Sequence, residues 1–175
     1  MSLEAKLKGL FSGSAVTKSK EIVLSSPLTG RVVPLDEVKD ETFAQRILGD
    51  GVAVCPVGTG ELRAPVDGRV EQVFDSHHAL TMITADGVEL LLHVGIDTVE
   101  LGGKHFEPRI KEGDAVKAGD VLLNFDTEAI RAAGYDLTTP MVVGNSDEYE
   151  MRVIASGDVG AGMPLLKLIR KGGKA

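Results

Sequence analysis

The sequence predicts an all-β protein: a barrel-like sandwich of antiparallel strands, internally duplicated, with one or two short helices. Three observations carry that prediction. Twenty-one glycines and seven prolines punctuate 175 residues. Between them lie runs of five to seven residues rich in Val, Ile and Leu, the spacing of short strands joined by turns. The chain also resembles itself. Segments 26-SPLTGRV-32 and 64-APVDGRV-70 share one frame, and 113-GDAVKAGDVLL-123 and 157-GDVGAGMPLL-166 share a second with one residue deleted. In both frames Gly and Pro set tight turns while the apolar ends enter a core. Repeats this short do not make a solenoid. They suit related halves, against the alternative that common turn chemistry recurs by chance.

Taken in order, residues 1–20 stand apart. Segment 3-LEAKLKGLF-11 offers a turn or two of amphipathic helix, at most a peripheral membrane contact. A frayed terminus leading into 12-SGSAVTKSK-20 is the favoured reading. The folded domain is expected over 21–170, with 171–175 a tail. Strand-like runs stand at 21-EIVLS-25, 31-RVVPL-35, 51-GVAVCPV-57, 69-RVEQVF-74, 79-ALTMIT-84, 88-VELLLHV-94, 121-VLLNF-125, 140-PMVVGN-145, 151-MRVIAS-156 and 165-LLKLI-169. Helices are expected at 41-ETFAQRIL-48, ended by Gly49, and over 127-TEAIRAAG-134, with Thr127 at its cap and Gly134 closing it.

Composition removes several classes of function. No apolar run approaches the roughly 18–20 residues that span a bilayer, and no secretory leader is evident. One cysteine, Cys55, excludes an internal disulfide and a four-cysteine zinc cage, which makes the cytoplasm the expected compartment. A formal net charge of −7 argues against nucleic acid and for basic partners.

Of four histidines, His78 and His93 flank an Asp86-Gly87 pair, a strong hairpin signal. If Ala85 and Val88 close a two-residue turn, Leu80 faces His93 and His78 faces Gly95. His78 and His93 then share one face as diagonal neighbours, about 7–8 Å apart along the backbone. His77 has the opposite parity and points away. A one-residue bulge would reverse that choice. Two imidazoles without an acid make no serine-type triad, and zinc needs three or four protein ligands. One ring can instead attack phosphorus while the other supports the transferring oxygens. Two histidines merely tolerated at a strand end are the alternative that spacing alone favours. Cys55 reads as a small buried hydrophobe and His105 as an exposed loop residue. The 113-GDAVKAGD-120 frame is similar to lipoyl- and biotin-carrier domains, but the tip 84-TADG-87 lacks their modifiable lysine.

Segments 64-APVDGRVEQVF-74, 76-SHHA-79 and 88-VELLLHVGIDTVEL-101 closely resemble the glucose-type enzyme IIA (EIIA type-1) of the bacterial phosphoenolpyruvate-dependent sugar phosphotransferase system. Segments 26-SPLTGRV-32, 43-FAQRILGDGVAV-54 and 139-TPMVV-143 add to the match, which runs from about Glu21 to Ile169. The resemblance implies a flattened barrel-like sandwich with a duplicated hybrid motif and a shallow active-site depression. It implies that HPr phosphorylates Nε2 of His78, that the group passes to a cysteine of a sugar permease's IIB domain, and that His93 supports transfer. Ser76 falls where the family carries a hydroxyl, usually threonine, that orients the supporting histidine. Asp97 matches a carboxylate beside the site. Phe43, Val99 and Glu100 match the partner face, and Asp147 is assigned to its acidic fringe. No cofactor and no resident metal are implied; His78 and His93 would take zinc only with a carboxylate brought by a partner. Regulatory target proteins are further expected partners. Two other classes stay open: a non-catalytic regulatory module binding partners through the same depression, and a zinc metallopeptidase on a related barrel, which needs a third protein ligand.

Overall fold

The computed structural model describes residues 20–172; the amphipathic segment 3–11 lies outside the described residues. Each of the ten strand-like runs forms a strand, with ends shifted by up to three residues. In chain order the elements are β1 Glu21–Ser25, β2 Gly30–Pro34, α1 Glu41–Ala44, β3 Asp50–Pro56, β4 Gly60–Arg63, β5 Gly68–Val73, β6 Ala79–Ile83 and β7 Glu89–His93. They continue with β8 Phe106–Pro108, β9 Ala115–Val116, β10 Val121–Phe125, α2 Thr127–Ala132, β11 Thr139–Val143, β12 Tyr149–Val153, β13 Asp158–Val159 and β14 Pro164–Arg170. The strands not expected, β4, β8, β9 and β13, have two to four residues, too few for an alternating pattern to register.

Both helices are shorter than the sequence suggests. Helix α1 stops at Ala44 because Arg46 turns into the left-handed region at φ 58°. Helix α2 is capped by Asp126, whose carboxylate accepts from Ala129 N at 3.0 Å. Thr127 is already inside that helix, its hydroxyl donating to Gly58 O.

Every strand pairing is antiparallel, and the sheets do not close into a barrel. An eight-stranded sheet has the order β13-β2-β3-β11-β7-β6-β5-β9, and two three-stranded sheets run β1-β14-β12 and β4-β10-β8. The main core contains Leu24, Leu62, Met82, Leu90, Leu92, Leu122, Met141 and Leu168. Each fully buried leucine contributes about 1.5–3 kcal/mol. A smaller cluster of Val33, Leu35, Val38, Phe43, Ala53, Ile96 and Val142 covers the opposite face of β2, β3 and β11. Strand β11 is therefore buried at all five residues. Among the described residues no helix is long and apolar enough to cross a membrane.

The repeated frames pair with each other in both halves, which removes chance recurrence as their explanation. Gly30 and Arg31 pair with Val159 and Asp158; Gly68 and Arg69 pair with Val116 and Ala115. Ser25 N donates to Pro65 O and Arg63 N to Pro27 O, each at 2.9 Å, a reciprocal exchange between the two copies. Ser26 bonds Met163 and Gly162 as Ala64 bonds Asp120 and Gly119. Carried along the register, this correspondence sets β2, β3 and β11 against β5, β6 and β7. The pseudo-twofold axis passes through the Met141–Leu92 pair at the centre of the large sheet.

Candidate active site

The hairpin that brings the histidines together differs from the expected one. The two-residue type I′ turn that Asp-Gly favours needs positive φ at both central positions. Here Gly87 is at φ 89° while Asp86 is not in that region. The loop is three residues long, closed by Thr84 N to Val88 O at 3.1 Å and by Val88 N to the Thr84 hydroxyl at 3.0 Å. The register moves by one, so that Ala79, not Leu80, faces His93. Strand parity alone would now put His78 and His93 on opposite faces.

They nevertheless converge, because His78 lies outside β6. Phe74 N bonds Ala79 O and His77 N bonds Phe74 O, closing a tight turn in which His77 adopts φ 60°. That turn swings the His78 ring over the outer face, while its carbonyl still accepts from Val94 N. The His78 and His93 ring centroids are 4.8 Å apart at 87°. Phe43 stands edge-on to His93 at 5.0 Å and Phe74 edge-on to His78 at 5.8 Å. Four rings thus form one row of edge-to-face contacts, each worth roughly 0.5–1.5 kcal/mol beyond its buried area. His77 is exposed, as expected.

The two imidazoles differ in what they bind. His93 Nδ1 lies 2.8 Å from Gly95 O. A carbonyl only accepts, so Nδ1 carries the proton and Nε2 of the neutral ring keeps its lone pair. Burial lowers the His93 pKa; the Gly95 carbonyl, Asp40 and Asp97 push back upward. His78 is 3% exposed, and its Nδ1 is buried without a hydrogen-bond partner. Burial first, and the neighbouring His93 second, bring its pKa down to about 4; the Ser76 carbonyl opposes the fall from outside bonding geometry. At neutral pH His78 is therefore an uncharged imidazole; with no acceptor for a proton on its buried Nδ1, the proton sits on Nε2.

The remaining expected residues divide. The Ser76 hydroxyl bonds neither ring; its main chain faces His78, and the carbonyl of Gly95 orients His93 instead. Phe43 is 4% exposed, so it packs beneath His93 and offers no docking surface. Asp97 is exposed beside His93 at φ 61°. Val99 is 52% exposed, and Glu100 accepts from the Tyr135 hydroxyl at 3.3 Å. Asp147 is exposed but sits near Asn145, whose side chain binds Glu89 N at the far end of β7. That is four residues, about 13 Å, from His93 along the strand. Cys55 is half-buried. His105 is half-buried against a groove of about 800 Å³ lined by Gly60, Phe106, Phe125 and Glu128, which shares no residue with the histidine pair.

Sequence reasoning missed three contributions. Asp40 caps α1, accepting from Thr42 N at 2.9 Å, and its carboxylate acts on His93; an Asp before 41-ETFA-44 was the available signal. Ile47 and Leu48, 66% and 44% exposed, follow α1 because that helix stops early. Phe74 completes the row of rings.

Residues 22–149 match the family described as phosphoenolpyruvate-dependent sugar phosphotransferase system, EIIA 1. The chain belongs to that family. It is 40% identical over 166 residues to the glucose-specific EIIA component of Haemophilus influenzae, covering 93% of this chain and 99% of that one. It is 49% identical over 151 residues to the beta-glucoside-specific EIIBCA component of Dickeya chrysanthemi, covering 86% of this chain but only 24% of that longer protein. The solved glucose permease IIA from Mycoplasma capricolum superposes with a TM-score of 0.80 at 34% identity, over 85% of this chain and 96% of that one. This EIIA chain is thus a phosphocarrier component of a sugar phosphotransferase system. Among the described residues no group of three His, Cys, Asp or Glu gathers to hold a metal, so the peptidase reading lacks its third ligand.

Proposed function

We propose that His93 accepts a phosphoryl group from phospho-HPr and passes it to a cysteine of a IIB domain, with His78 supporting the transfer, the reverse of the roles the resemblance implies. The carrying observation is the half-open His93 ring, its Nδ1 proton committed to Gly95 O, 4.8 Å from the uncharged His78 ring. The Nε2 lone pair of His93 forms the new N–P bond as the bond to the donor's histidine breaks. His78 donates from Nε2 to the phosphoryl oxygens. Asp40 and Asp97 favour the positive charge that the His93 ring gains as that bond forms. Transfer of this kind asks for positioning and electrostatic support more than for covalent help from the protein. Between two proteins it also asks for a shallow site and not a deep cavity.

The partner face consists of Ile47, Leu48 and Val99 as apolar contacts, with Asp40, Asp97 and Glu100 as an acidic fringe that guides a basic donor. Phe43 belongs to this surface only through His93, and Asp147 only as an outlying charge. The cytoplasm, where HPr would meet it, is the compartment this reading requires. Which sugar is carried is decided by the permease domains.

Incubation with phosphorylated HPr tests the reading. Acid-labile phosphate should appear on His93 and vanish in His93→Ala while the fold persists. Phosphate still incorporated by His93→Ala, and lost instead in His78→Ala, would reverse the assignment.

A further inference from the structure

The rim of the histidine site beside Asp97 carries two acids with no matching cation. Asp97 leads into a short 3-10 turn, Thr98–Leu101, and Glu100 lies within it, its amide donating to Asp97 O at 3.1 Å. Both side chains are exposed, and among the described residues neither forms a salt bridge. Like charges on one short turn repel. Glu100, the longer of the two, has the freedom to swing away, and a partner would then meet one acid instead of a pair.

Tyr135 opposes that swing. Its ring is half-buried against the main core, and its hydroxyl donates to Glu100 Oε1 at 3.3 Å. A seam between two connections brings it there. Gly134, at φ 97°, closes α2, and Ile96 N then donates to Asp136 O at 2.8 Å. That bond ties the residues after α2 to the loop after β7 and sets Tyr135 beside the turn. Burial first, then Glu100, raise the Tyr135 pKa, and Asp97 adds to the rise. The phenol keeps its proton and stays a donor at neutral pH. A tyrosine side chain turns about only two bonds, so it holds a partner at low entropic cost. We propose that Tyr135 is a positioning residue for recognition of the phosphoryl donor: its hydroxyl holds Glu100 beside Asp97, and the paired carboxylates receive a basic side chain of phospho-HPr. The inference rests on the transfer reading above. Tyr135 takes no part in the N–P chemistry; it acts through Glu100, on the encounter and not on the transfer step.

Single-turnover acceptance from phospho-HPr by the full chain, measured over a range of donor and salt concentrations, separates encounter from transfer. Tyr135→Phe keeps the ring and loses the hydroxyl. At low salt it should raise the half-saturating donor concentration about threefold and leave the saturated rate unchanged. The effect should fade toward 1 M salt, where charges are screened within about 3 Å. Glu100→Gln should behave alike, and the double variant should lose no more than Glu100→Gln alone. Parent-like half-saturation in Tyr135→Phe, a Tyr135→Phe loss that persists in the Glu100→Gln background, or a fall in the saturated rate would each overturn the proposal. Titration with unphosphorylated HPr carries the same comparison without transfer. A Tyr135→Phe effect there, with no phosphate on either histidine of the parent protein, would leave the role of Tyr135 standing and sink the transfer reading instead.

Discussion

The two halves of the large sheet start from the same frame and end differently at one connection. In the half built on β5, β6 and β7, the link between the first two strands runs only from 74 to 78 and carries His78. In the half built on β2, β3 and β11, the equivalent link runs from 35 to 49 and contains α1. By register, Asp50 stands where His78 does and Val142 where His93 does. Val142 is fully buried under the smaller apolar cluster, whereas His93 stays half-open. The long link crosses the pseudo-twofold axis and lays Phe43 against His93 of the other half. Duplication supplies two equivalent corners, and the unequal connections make one of them a site: the short link holds the supporting histidine, the long one braces the nucleophile.

The sharpest way to break this comparison is to remove the supporting histidine. His78→Ala should still be phosphorylated by HPr, while transfer to a IIB domain falls roughly 100-fold, as for loss of one preorganised donor. Single-turnover kinetics of the two steps would show it; an undiminished second step would mean that the open corner holds one working residue, not two.

A smaller effect follows from the buried rings. The His78 pKa is about 4 in the fold and 6.5 in the unfolded chain. Between those values the unfolded chain binds more protons, so stability is full above pH about 6.5 and is lost as pH falls toward 4. From pH 6.5 to 5 the loss is about 2 kcal/mol, with His93 shifted in the same direction. Urea unfolding across that range should show the slope, and His78→Gln should flatten most of it. An ordinary imidazole titration near 6.5 in the folded protein would contradict the burial argument.

The smallest effect belongs to the other corner. Asp50 pairs with Arg46 at 2.8 Å, both about half exposed. Asp50→Asn should leave both transfer steps unchanged and cost under about 1 kcal/mol, as exposed ion pairs do. A large drop in transfer would show that the corners are less separate than their connections suggest.

Much of this was legible before any coordinates. The alternation of 79–84 and 88–94 announces β6 and β7, and the family motifs single out His78 and His93. Parity reaches the right pair through the wrong turn: a two-residue loop at Asp86-Gly87 would make them diagonal neighbours, but only Gly87 takes positive φ. What restores the pair is the left-handed His77, which nothing in 74-FDSHHA-79 advertises. Helix α1 misleads in a similar way. Its apolar spacing continues through Ile47 and Leu48, yet the chain leaves the helix at Arg46, exposing both. Phe43 reads equally well as core or as docking surface until its contact with His93 is seen. Ser76 has the right chemistry, but a nearby hydroxyl and a bonded one look the same in one dimension.

By itself the sequence determined the strand inventory, the twofold repetition and the two histidines, because periodic burial and turn chemistry are local and leave local marks. Only the tertiary structure decided which corner of the repeat became the site, that Gly95 O selects the His93 tautomer, and that Asp40 and Phe43 belong to it. Those outcomes depend on how a connection folds back across an axis between residues about fifty positions apart, and no short-range pattern encodes such a meeting.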